Sequence, residues 1–328
     1  MIPRCTLPAV GVFLVVLGLA SPGRSEVIGV YDAQKLQSER PRLETRTKEL
    51  WRAIYEKLLL DREKRALKEA QLRFPRISSD GSELNFLSYT EQRIVELPIH
   101  SLLLLEDACT AYAWLHHNEY SAITINEYAS MLKYRRSRKD PGGDVPPPLK
   151  ALGIPDDALL DEEVSTMSLR FRNSAFAFVL VHEMGHILHQ HSPNSGVAPD
   201  VSRAHEREAD EFALEVLKRD HQIPMGAVLF FQIVAFTASP QRFDYRTAEE
   251  WEEALQRATH PVTSHRVGGI AELLRKKSGE YGSNSEAARD VAGQLAKIAH
   301  EMDDKDWQLY FQRIGERAPI TAIRPRKE

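Results

Sequence analysis

The run Phe176-Ala177-Phe178-Val179-Leu180-Val181 is apolar without a break and leads directly into His182-Glu183-Met184-Gly185-His186. Six apolar residues in succession followed by two histidines four apart fit a buried helix, expected from about Ser174 to His191. At about 3.6 residues per turn, positions four apart differ by only about 40° around the axis, so both imidazoles leave one face and can reach a single metal ion. Glu183 stands one residue on, beside the metal position. There it can take a proton from an attacking water and return it to a leaving group, which is general acid–base work. A buried helix that must present two imidazoles inward needs a second element bringing the remaining ligand.

Twenty residues beyond His186 the chain reads Glu206-Arg207-Glu208-Ala209-Asp210, inside an amphipathic helix expected from about Ser202 to Lys218. Glu206 and Asp210 are again four apart and share a face. Glu206 is therefore the candidate third ligand, and Asp210 the acceptor for the second ring N–H of a ligating histidine, a partner such histidines usually have. Glu208 competes with Glu206, but it lies about 200° away around the helix, so only one of the two can face the metal while Asp210 does. His260-Pro261, followed by Arg266, offers an imidazole outside the ligand set that can donate to a developing oxyanion. A third histidine ten residues after the first would define another zinc class. Position 192 is serine, and His189 stands where that class has glycine. His189 and His191 are accordingly read as helix-end or supporting residues, since three protein ligands suffice for a catalytic zinc. His205, His221, His265 and His300 are read as solvated or packing residues.

Composition narrows the class without naming it. The chain has 328 residues, 42% hydrophobic and 27% charged, enough for a real core and inconsistent with a disordered or fibrous protein. A formal charge of −4 gives no electrostatic reason to expect nucleic acid as a partner. Two cysteines exclude a disulfide framework and a multi-cysteine zinc module. Residues 1–25 have the layout of a secretory signal: Arg4 near the start, an apolar stretch from Leu7 to Ala20, and small residues that allow cleavage after 20 or 25. The stretch is shorter than the roughly 20 residues a membrane span needs, so an exported chain is expected in preference to a signal-anchored one. Met225 to Ala238, 14 residues long, is read as a core helix for the same reason.

The remaining chain divides by character. Residues 26–136 are expected to form a helical N-terminal region, with a long helix over 42–74 and a buried one around Leu102 to Leu115 holding Cys109. A turn is expected at Ser78 to Ser82 and another helix over 124–135. Residues 137–163, with Pro-Gly-Gly and three consecutive prolines, read as a linker or surface loop. A short strand is expected over Val164–Phe171, ahead of the helix carrying the two histidines. Residues 164–328 then form the domain that holds the chemistry.

Together these elements resemble the HtpX and CAAX-prenyl-protease (Ste-type) family of gluzincin zinc metallopeptidases. The likeness rests on His182-Glu183-x-x-His186, on Glu206-x-x-x-Asp210, on His260-Pro261 with Arg266, and on His191 and Ile223-Pro224, and it covers about residues 170–277. It implies a mainly α, zincin-like catalytic core that holds one Zn2+ per chain on His182, His186 and Glu206. Glu183 would be the general base, His260 a contact to substrate or intermediate, Asp210 a support for a ligand, and Arg266 the partner closing a buried ion pair. The implied activity is zinc-dependent endopeptidase action on exported or envelope proteins, with a protein or peptide as substrate and a periplasmic location favoured over an extracellular one. Unlike the membrane members of that family, the chain has no further spanning segment in its sequence, which points to the soluble exported branch. Two other readings stay open: a latent or non-catalytic relative acting as a binding or scaffolding module, and a structural zinc site clamping two helices.

Overall fold

In the computed structural model, which describes residues 27–79, 82–136, 145–191, 197–237, 244–257 and 262–317, the chain opens with a two-stranded antiparallel ribbon, β1 (Val27–Ile28) and β2 (Tyr31–Asp32). The Asp32 side chain accepts from the Lys35 amide at 2.6 Å and so caps α1 (Ala33–Lys57). A short α2 (Asp61–Leu67) follows, its first turn closed by Glu63 accepting from the Leu60 amide at 2.8 Å. The single long helix expected over 42–74 is thus broken after Lys57, and its last residues become a strand. That strand, β3 (Gln71–Arg73), joins β4 (Leu87–Tyr89) and β5 (Ile94–Glu96) in a small sheet of order β3-β5-β4. Val95 pairs with Leu72 in parallel and with Ser88 in antiparallel register. Residues 26–136, read as helical, therefore also carry the sheet.

Helices with long stretches buried on every side belong in the centre of a protein. The first such helix is α3 (Ile99–His117), buried at almost every position from Ile99 to Leu115. After α4 (Ile123–Arg136) and the short α5 (Pro148–Ala151) comes the second, α6 (Glu162–His189), which is continuously buried from Ala175 to Ile187 and packs against α3. Residues 137–144 lie outside the described residues. From Val145 onward the stretch read as a linker or loop is packed, with Val145, Leu152 and Ile154 in the core and α5 against α3.

The strand expected over Val164–Phe171 does not form, because those residues are the opening turns of α6. Asp161 caps them by accepting from the amides of Glu163 at 2.9 Å and Val164 at 3.0 Å, and Glu162 and Glu163 occupy the first turn, where negative charge suits the helix dipole. Burial recurs every four residues at Val164, Ser168 and Arg172, a helical period. The sheet that accompanies this helix comes from earlier in the chain.

The amphipathic α7 (Pro199–Lys218) and the apolar α8 (Met225–Thr237) pack on α6; α9 (Ala248–Arg257) follows, α10 (Ser264–Lys276) packs on α7, α11 (Ser285–Asp303) on α10 and α8, and α12 (Lys305–Arg317) on α4. One hydrophobic cluster runs from Val30 to Phe311, so the N-terminal helices and the helices around α6 share a core. Among the described residues no helix is long and apolar enough to cross a membrane.

Two glycines set how closely helices approach α6. A Cβ on Gly226, at the start of α8, would fall 2.1 Å from the Ala175 amide nitrogen, so α8 meets α6 backbone to backbone. A Cβ on Gly185 would meet Ala209 Cα at 3.1 Å and Phe212 Cδ1 at 3.2 Å. Gly185 therefore lets α7 lie directly on the turn of α6 that carries the two histidines.

Candidate metal centre

Because α7 sits so close, the side chain of Glu206 reaches the face from which His182 and His186 project. The Nε2 atoms of the two histidines are 3.1 Å apart. His182 Nε2 is 3.5 Å from Glu206 Oε2, and His186 Nε2 is 3.5 Å from Glu206 Oε1. Ligand atoms about 2.0–2.2 Å from one tetrahedral centre lie roughly 3.4 Å from one another, so these separations suit a single small cation. Among the described residues this is the one group of three such side chains whose ligand atoms all lie within 4.8 Å. His182, His186 and Glu206 are each at most 6% exposed, which keeps competing water away.

The surrounding charges also suit a cation. Three carboxylates (Glu183, Glu206 and Asp210) are buried in the cluster with one guanidinium, that of Arg266. Their formal sum is two negative charges, which a divalent ion would balance; left unbalanced, such charge is costly in a buried site. Burial disfavours a proton on His182, but the hydrogen bonds and charges of Asp210 and Glu206 outweigh it and push the imidazole pKa up to about 10.

Asp210 backs the site. Its Oδ1 is 2.9 Å from His182 Nδ1, which leaves His182 Nε2 for the metal position. Burial alone would raise the Asp210 pKa, yet the Arg266 charge and the His182 hydrogen bond hold it below the usual carboxylate range. Arg266 reaches both acids: Nε and Nη2 donate to Asp210, and Nη1 lies 2.6 Å from Glu206 Oε2. Its guanidinium also lies over the Phe231 ring, 5.4 Å from the centroid. The Thr263 hydroxyl caps α10 by accepting from the Arg266 amide at 3.1 Å, placing that arginine in the first turn. Glu183 is 3% exposed, and its Oε2 has no hydrogen-bond partner among the described residues. A buried carboxylate oxygen left open beside a metal position is what a general base needs before water arrives.

The structure thus brings His182, Glu183, His186, Glu206, Asp210 and Arg266 into one buried cluster. His260 lies outside the described residues. Glu208 points away from the cluster, with 53% of its side chain exposed, and its Oε2 is 2.9 Å from His191 Nε2. His191 lies 2.9 Å, Nδ1 to Nδ1, from His186 and stacks on His205 with centroids 4.2 Å apart. Burial lowers the His191 pKa. From sequence alone His191 stands among helix-end or supporting residues, and Glu208 and His205 have no part in this arrangement. A histidine five residues past a ligating one, facing a glutamate on the next helix, was the available signal.

No curated protein matches the chain, and neither does any solved structure. Residues 144–284, less than half of the chain but including every residue of the cluster, match the family model Peptidase U49, and this similarity indicates a peptidase.

Proposed function

We propose that the protein is a zinc-dependent endopeptidase with a gluzincin-like core, acting on protein or peptide substrates after export. The observation that carries the reading is the buried convergence of His182, His186 and Glu206 next to a Glu183 carboxylate oxygen that has no partner among the described residues. The peptidase part is supported by the family match; the metal, the mechanism and the Ste-type affinity rest on the site chemistry and the motif resemblance. Export rests on the signal-like residues 1–25.

His182, His186 and Glu206 would hold one zinc ion. When bound, zinc supplies Lewis acidity, which favours ionisation of water and polarises a peptide carbonyl. Glu183 accepts the proton of the attacking water and passes it to the amine leaving group. Asp210 keeps the His182 proton on Nδ1 and holds the ring's direction, while Arg266 keeps Asp210 and Glu206 in place and Asp210 ionised. His260, as a donor, would help hold the oxyanion.

The test is peptidase activity of the full chain with and without zinc. Glu183→Gln should retain stoichiometric zinc while turnover of a protein substrate such as casein falls by several orders of magnitude. Glu206→Gln should lose zinc, and Glu208→Gln should lose far less. Activity in Glu183→Gln comparable to the unaltered chain would overturn the assignment of the base; activity unaffected by a strong chelator would overturn the metal.

A further inference from the structure

The C-terminal end of α6 is built so that one side chain is pressed against a candidate ligand. Gln190 adopts a left-handed conformation, φ 55° and ψ 40°. Its amide bonds back to Ile187 O at 3.3 Å, and the His191 amide reaches His186 O at 3.1 Å. These are the two backbone bonds of a Schellman turn, in which the residue after the left-handed position folds back over the one five before it. That contact is usually between two apolar side chains. Here the pair is His191 and His186, so the turn that ends the helix also sets His191 Nδ1 2.9 Å from His186 Nδ1.

The proton positions then follow from one choice. With His186 Nε2 given to a metal, its Nδ1 must carry the hydrogen and needs an acceptor. His191 Nδ1 can accept only if His191 carries its own hydrogen on Nε2, and that nitrogen faces Glu208 Oε2 at 2.9 Å. His205, stacked flat on His191 with an interplanar angle of 9°, fixes the ring plane. The Thr90 hydroxyl donates to His191 O at 2.9 Å and ties the end of β4 to the same residue. His182 is backed by a carboxylate, Asp210, whereas His186 is backed by an imidazole that is itself held by a carboxylate.

We propose that His191 is a positioning residue for His186, fixing its tautomer and aim toward the metal, and that Glu208 fixes the tautomer of His191 in turn. The assignment rests on the reading of His186 as a zinc ligand. Glu208, on this view, serves the site through His191 and never touches the ion.

The test is zinc affinity of the full chain, measured by competition with a chromophoric chelator, with helix content checked by circular dichroism. His191→Phe keeps the ring volume and the stack on His205 but offers no acceptor; His191→Asn loses the ring but places a carbonyl oxygen near the position of Nδ1. Zinc binding by His191→Phe should weaken about 10–100-fold, and His191→Asn should recover most of that loss. A role in packing alone predicts the opposite order. His191→Phe binding as tightly as the unaltered chain, or more tightly than His191→Asn, would overturn the assignment. Should His191→Phe not fold, Glu208→Ala takes its place: weakened zinc binding is expected, and unchanged affinity overturns the role of Glu208 and the chain of bonds built on it. An unaltered chain that takes up no zinc overturns the metal reading itself, a failure recognisable before any His191 variant is made.

Discussion

Arg266 clasps Asp210 with two parallel hydrogen bonds, Nε to Oδ2 at 2.7 Å and Nη2 to Oδ1 at 2.8 Å, and its third nitrogen meets Glu206 Oε2. One guanidinium on α10 therefore holds two acids of α7, both nearly inaccessible to water. Removing one partner of a buried ionic group leaves the other charges uncompensated, which typically costs about 3–5 kcal/mol. Arg266→Met should lower the stability of the metal-free chain by about that amount, read from the urea midpoint in the presence of a chelator. Arg266→Lys should recover only part of it, because a single ammonium cannot reproduce the paired geometry. A loss under about 1 kcal/mol for Arg266→Met would show that the two acids find other compensation.

Zinc uptake should release protons. In the metal-free chain the His182 pKa is pushed up to about 10, so at neutral pH the imidazole is protonated, and a cation must displace that proton. Zinc affinity should accordingly rise with pH over the neutral and mildly alkaline range. Stability carries the matching sign: a raised folded pKa contributes stability that is complete below the unfolded value near 6.5 and is lost as pH climbs through about 10. The metal-free chain should weaken between those limits, and the zinc-loaded chain should not show that decline. Calorimetry in buffers of different ionisation enthalpy measures the proton count, and zero release at pH 7 would contradict the protonated His182.

Gly185 should matter more to metal binding than to stability. In a helix interior Gly→Ala ordinarily gains roughly 1 kcal/mol. Here the new Cβ meets Ala209 Cα at 3.1 Å and Phe212 Cδ1 at 3.2 Å, so α7 must retreat by a few tenths of an ångström. The two effects offset in the unfolding free energy, but the retreat draws Glu206 from the histidines. Gly185→Ala should therefore unfold within about 1 kcal/mol of the unaltered chain while binding zinc several-fold more weakly. Gly185→Leu, with no room at all, should fail in both measurements.

What could be read from the sequence depends on how local the cause is. Two residues four apart on a helix share a face whatever the rest of the fold does, so the His182/His186 and Glu206/Asp210 pairs could be placed by spacing alone. Arg266 could be tied to them only through the resemblance, since nothing within its own helix requires that partner. The strand expected over Val164–Phe171 followed a local pattern that lost to the Asp161 cap and to burial against α3. The break after Lys57 was hidden because the apolar stripe continues through it, and residues 71–73 turn to strand on account of a partner, β5, more than twenty residues away. The His186–His191 contact depends on Gln190 entering the left-handed region. Glycine there would have announced the turn; glutamine gives no such sign.

Gly226 gives a purely structural counterpart to Gly185. Its Cβ would lie 2.1 Å from Ala175 N and 2.5 Å from both Ala175 Cα and Phe171 O, all backbone atoms that cannot rotate aside. The same contact is tied by Ser174, whose hydroxyl donates to Ile223 O and accepts from the Gly226 amide, each at 3.0 Å. Gly226→Ala should destabilise the chain by about 3 kcal/mol, the upper part of the range for overpacked cores, measured by denaturant unfolding. A near-neutral result would mean that α8 shifts freely along α6, contrary to such close backbone contact.

Gln190 is the position where stability and site geometry separate most cleanly. A residue other than glycine held at φ 55° costs roughly 1–2 kcal/mol against its right-handed alternative, and glycine removes that cost. Gln190→Gly should raise the unfolding free energy by up to about 1 kcal/mol, read as a higher urea midpoint with an unchanged m-value, because the same turn is kept with less strain. Zinc affinity should stay as it is, since His191 still folds back on His186. Gln190→Val should do the reverse on both counts: a β-branched side chain is excluded from that region, the turn opens, and His191 leaves its place beside His186. If Gln190→Val instead lost stability while keeping full zinc affinity, the helix end would be shown to act on folding alone, and the positioning of His186 would have to come from within α6.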